Sequence, residues 1–235
     1  MGRPEKPVDR TVPALASLAV FLRERRNTAG LTYQQLARGS DMPSKATLER
    51  AASGVSVPSW ATVDAFIYAT ATTSELFTGN DNVSSALARG RELWIRARRA
   101  TRAPYYVHTA PNPALISSMS DLSRALRNQH TWAGCPSPGG MERSFPYHLP
   151  RSTTRRIING TTLPSSPQQM IAFLEACYVT SAASLLPWFK AVIQVFERTG
   201  QDTARWIEAF DELVEDALAE RMQEEEFPPP LLSAA

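Results

Sequence analysis

A stretch that begins at Leu18 returns in altered form at Leu122. Leu22 matches Leu126, and Ala29-Gly30 matches Ala133-Gly134, at an offset of 104. Thr47, Gly54 and Pro58 match Thr153, Gly160 and Pro164 at an offset of 106, and Val63 and Phe66 match Met170 and Phe173 at 107. The drift places insertions in loops, where they are tolerated. Each copy leads into a Trp-bearing stretch, LWIRARR around Trp94 and PWFKAVIQVFER around Trp188. A chain written this way is expected to fold as two tandem copies of one domain of roughly 85 residues.

The periodicity inside the copies is helical. Leu15, Leu18, Ala19 and Leu22 recur at the spacing of one helix face, and Gly30 follows as a helix stop. Thr32 with Gln35 has the form of a capping box for a short helix over 33–38, and Ser44 is placed to cap a helix over 45–53. Gly54 ends that helix, and Pro58-Ser59 opens the next, which carries Val63, Phe66 and Ile67. A fifth helix is predicted over 84–100. The second copy predicts helices over 114–131, 151–159, 165–179 and 183–199. Its second-helix slot, CPSPGGMERSF, holds two prolines and two glycines and leaves room for a helix only over 140–145. No stretch alternates apolar and polar residues for long. The expected fold is all-α.

Charge divides the chain further. Residues 1–110 carry a net +6, residues 111–199 carry +4, and residues 200–235 carry −8. A basic body with an acidic tail suits a polyanion-binding protein with a separate interaction segment. The tail predicts an amphipathic helix over 202–226, with Trp206, Phe210, Leu213 and Ala217 in one stripe. That stripe needs a cover. Docking on the second domain and homodimer pairing through residues 202–226 of another chain are both open. The expected organisation is a flexible arm over 1–13, domains over 14–100 and 114–199 joined by a proline-rich linker over 101–113, and the acidic helix and proline-rich tail over 200–235.

A short helix, a tight turn and a helix rich in Ser, Thr, Lys and Arg is a helix-turn-helix arrangement. Such a helix fits the major groove, its first-turn side chains reach base edges, and basic side chains hold phosphates. The run LTYQQLARGSDMPSKATLERAASG resembles the Cro/repressor-type (Xre-type) helix-turn-helix of bacterial regulators, as does LRERRNTAGLTYQQLA followed by VPSWATVDAFIYA. LPRSTTRRIINGTTLP and AFLEAC in the second copy are similar to the same subgroup. The resemblance implies a transcriptional regulator that binds double-stranded DNA. It implies phosphate contacts from Thr32 and Gln34, and a groove-facing third helix opened by Ser44 and carrying Lys45, Ala46, Thr47, Glu49 and Arg50. In the second copy it gives those positions to Arg151, Ser152, Thr153, Arg155 and Arg156. That copy departs from the pattern where Thr154 replaces the apolar Leu48 and where its second helix is broken up by CPSPGG, so it reads as a degenerate copy.

Plainer readings stand beside these. Arg155-Arg156 is also what a solvated helix face looks like, and RARRATR over 96–102 what a charged helix end looks like. Gly2-Arg3-Pro4 fits either a minor-groove arm or a disordered start. The five tryptophans read as core anchors. No GxxxxGK[ST], HExxH or GxSxG run is present, and three histidines and two cysteines leave little for a metal or nucleophilic site. The expectations are a non-enzymatic protein with no cofactor and no metal, no membrane span, and a cytoplasmic, nucleoid-associated location. The competing reading is a protein-interaction adaptor whose helical domains no longer read DNA.

Overall fold

A computed structural model describes residues 5–39, 41–72 and 81–226. Among these residues all regular structure is helical, as the periodicity predicts, and no helix is long and apolar enough to cross a membrane. The chain separates into two compact units, residues 1–106 and 107–235.

The first unit contains α1 (Pro13–Thr28), α2 (Tyr33–Leu36), α3 (Lys45–Ala51), α4 (Trp60–Ala69) and α5 (Asp81–Arg102). Side-chain caps start three of them. Thr32, Ser44 and Ser59 each accept from the amide three residues on, and Thr32 with Gln35 completes a capping box. Pro13 begins α1, where its missing N–H costs nothing. The core gathers Leu15, Leu18 and Leu22 of α1, Leu36 of α2, Leu48 of α3, Phe66 and Ile67 of α4, and Trp94 of α5. The Arg91 guanidinium lies 3.4 Å from the centre of the Trp60 ring and 5.7 Å from that of Trp94, so one cation serves two indole faces.

The second unit opens with a 3₁₀ turn (Pro113–Leu115), followed by α6 (Met119–Trp132), α7 (Pro138–Ser144), α8 (Arg151–Ile158), α9 (Pro167–Ala176), α10 (Ala182–Arg198) and α11 (Ala204–Glu226). Its first five helices have the length pattern of α1–α5. Gly30 and Gly134 both close a first helix with positive φ (66° and 78°), and Gly54 and Gly160 both close a third (80° and 75°). The second helix starts earlier than the prolines suggest. Ser137 caps it and Pro138 takes its first position, again where no N–H is needed. Pro150 caps α8 without a side-chain bond, and the hydroxyl of Thr154 turns back to the carbonyls of Leu149 and Pro150. That bond lets a polar residue occupy a fully buried position matching Leu48.

The acidic helix finds its cover within its own unit. Trp206, Ala209, Leu213 and Ala217 belong to the same core as Trp188, Phe189 and Phe196. The Trp206 ring centroid lies 5.7 Å from that of Phe189 and 5.3 Å from that of Phe196. Trp94, Trp188 and Trp206 are buried, as core anchors should be, whereas Trp60 and Trp132 are only half-buried. The minor-groove reading of Gly2-Arg3-Pro4 and the proline-rich end of the tail lie outside the described residues.

Residues 5–12, expected as a loose arm, form a strap across the first unit. Glu5 pairs with Arg23 at 3.0 Å and Arg26 at 2.9 Å and accepts from the Tyr33 hydroxyl at 2.6 Å. The Asp9 amide donates to the Ser53 carbonyl at 2.9 Å. Burial pushes the Glu5 carboxyl up, but the bonds from Tyr33 and Arg26 and the two arginine charges outweigh it, so it sits below its ordinary value. A depressed carboxyl contributes stability at neutral pH that is lost as pH falls through the acid range. The hydrogen-exchange protection factor of the Asp9 amide should therefore fall in wild-type protein as pH drops below the ordinary carboxylate range. In Glu5→Gln it should be low at all pH values. A protection factor that stays level in wild type would mean that Glu5 does not hold the strap.

Candidate DNA interface

Burial on α3 divides the helix into two faces. Leu48 and Ala51 are buried in the core, while Lys45, Ala46, Glu49 and Arg50 face solvent. The packing of α2 and α4 on α3 holds this face outward. Ser44 Oγ accepts from the Thr47 amide at 3.3 Å, and its hydroxyl lies 2.9 Å from that of Thr47. Both side chains are thus engaged in starting the helix. Lys45 and Glu49 form an exposed pair at 3.7 Å, a weak interaction that a competing anion can displace. Thr32 is likewise engaged, its hydroxyl 2.7 Å from Gln35 Oε1, while Gln34 is exposed. The structure therefore brings Lys45, Ala46, Glu49 and Arg50 together on one open face and sets Thr32, Ser44 and Thr47 to local capping.

The corresponding helix of the second unit is more cationic. Arg151, Ser152, Arg155 and Arg156 are exposed, Thr153 is half-buried, and Thr154 and Ile157 are buried. No acidic residue lies on α8. Its first amide, on Arg151, donates instead to Glu142 Oε1 of α7 at 3.0 Å. A helix start attracts anions through its unpaired amides, and here the chain's own carboxylate takes one of them. The sequence does not announce Glu142. Its bond partner is nine residues on, and only its place on the broken-up second helix hints at it.

Residues 17–77 match the family model of a helix-turn-helix domain. That span runs from within α1 past the end of α4 and contains α2, α3 and the turn between them. The first unit carries a helix-turn-helix domain. The match supports a DNA-binding helix-turn-helix domain over this span. In this helix-turn-helix domain, the second helix of the motif is α3. No curated protein and no solved structure matches the chain.

Proposed function

We propose that the chain is a sequence-specific double-stranded-DNA-binding regulator of transcription whose first domain, of the Cro/repressor type, lays α3 in the major groove. The observation that carries this reading is the open face of Lys45, Ala46, Glu49 and Arg50 over a helix whose opposite side is fixed in the core. Lys45 and Arg50 are the base-edge or phosphate contacts, and Gln34 adds a phosphate contact from α2. Selection of bound sites from random duplexes by the full chain tests the reading. An enriched sequence motif, with affinity that falls steeply as salt rises, is the expected result. No enriched motif, or affinity indifferent to salt, would overturn it.

The second unit is proposed as a diverged copy of the first. Its paired αL glycines and shared helix order support that descent. Its Arg155 and Arg156 hold phosphates further along α8, while Glu142 occupies the start of the helix and keeps it from reading bases. Changing Arg155 and Arg156 together to alanine should lower the salt slope of binding by up to about two ions and leave the selected sequence unchanged. A changed sequence preference would make α8 a second reading helix. The adaptor reading draws on the same Glu142 contact, and an unchanged slope would favour it for this unit.

A further inference from the structure

The two units differ in what lies beside the glycine turn that closes their third helix. In the first, the strap crosses it. A Cβ added at Gly54 would lie 2.5 Å from the Asp9 carbonyl oxygen and 3.0 Å from a Val8 methyl, and from there the strap runs on to set Glu5 against Arg23. In the second, the segment ahead of α6 goes elsewhere. Its 3₁₀ turn packs on α10, Ile116 enters the core, and Arg198 Nη1 donates to the Ser117 carbonyl at 3.4 Å. The flank of Gly160 is left as an open cleft of about 350 Å³, lined by Met119, Ser123, Arg127, Gly160, Thr162 and Leu163.

The cleft keeps the features that the strap meets in the first unit. Arg127 comes from α6 at the position that Arg23 holds on α1, 104 residues earlier. Arg23 holds Glu5, but among the described residues no carboxylate pairs with Arg127. Its guanidinium folds back over Gly160, with Nε 3.0 Å from where a Cβ would stand, and makes a long bond of 3.4 Å to the Ser123 carbonyl. The hydroxyl oxygen of Thr162 is buried without a hydrogen-bond partner. Such a group costs free energy until a partner arrives.

We propose that this cleft receives an extended, carboxylate-bearing peptide of a partner protein, of the kind that residues 5–9 present to the first unit. Its carboxylate meets Arg127, which swings off Gly160, and a polar group of the peptide satisfies Thr162. The inference rests on the correspondence between the two units and is independent of DNA binding. The probe is a fluorescent synthetic peptide of sequence EKPVDRT, taken from residues 5–11, titrated with the full chain at low salt and followed by anisotropy. Saturable binding is expected. It should weaken about tenfold or more in Arg127→Gln and with a Glu5→Gln peptide, since a charge-assisted bond is lost, and stay unchanged in Arg23→Gln. Arg127→Lys, which keeps the charge, provides a second variant and should lose less. No saturable binding at millimolar peptide, or binding abolished by Arg23→Gln and indifferent to Arg127, would overturn the proposal. So would self-association of the chain that vanishes in Arg127→Gln, which would give the cleft to a second copy.

Discussion

Lys45→Ala combined with Arg50→Ala should weaken binding to a selected DNA site by roughly 30-fold to 10⁴-fold, at about 1–3 kcal/mol for each base-edge interaction removed. Thermal unfolding of the first unit should barely move. Both side chains face solvent, and the exposed Lys45–Glu49 pair contributes little to stability. Leu48→Ala provides the contrast. Leu48 is fully buried, so its truncation should cost about 2–5 kcal/mol of stability and reduce DNA binding only through unfolding. Titration of a labelled duplex, paired with circular dichroism melts, separates the two. A folded double variant that binds like wild type would remove α3 from the interface.

Trp206→Ala should destabilise the second unit by about 3–5 kcal/mol, the cost of emptying a large aromatic site. Trp206 is 2% exposed and packs against both Phe189 and Phe196. Cutting the chain at residue 200 would remove the same anchor together with Leu213 and Ala217, so a truncated protein would report unfolding rather than the loss of acidic charge. Replacing the exposed Glu208, Glu212 and Glu215 by glutamine should instead leave the fold in place, since these side chains face solvent. Chemical denaturation followed by near-ultraviolet circular dichroism measures the first effect. If the second unit keeps its stability without the indole, α11 is an accessory to a core that is complete without it.

The local rules that start and stop helices are the most legible part of the chain. Thr32, Ser44 and Ser59 cap the helices that their side chains foretell, because a cap acts over three residues and its signal is local. The apolar face of α1 follows from periodicity for the same reason, while the apolar role of Leu48 follows from the family resemblance. Pro138 misleads by two residues. As a proline it counts against α7, although at the first position of a helix it forfeits no bond. The strap is not legible, since Glu5 finds Arg23, Arg26 and Tyr33 through tertiary folding and no nearby pattern announces them. The cover of the α11 stripe is open in the sequence for a related reason. Periodicity shows that a face is apolar but not what meets it, and the structure packs much of that face on α10.

The place of α11 in the chain sets an order of assembly at the ribosome. The core of the first unit needs nothing beyond Ala97, whereas that of the second draws on residues from Ile116 to Ala217. At translation rates of about 5–20 residues per second, the first unit can finish folding roughly 6–24 s before the last core residues of the other emerge. Late in that interval the Phe189 and Phe196 surfaces wait uncovered for Trp206. Nascent chains stalled with residues 150 to 200 just clear of the exit tunnel should therefore resist protease across the first unit and be cut freely across the second.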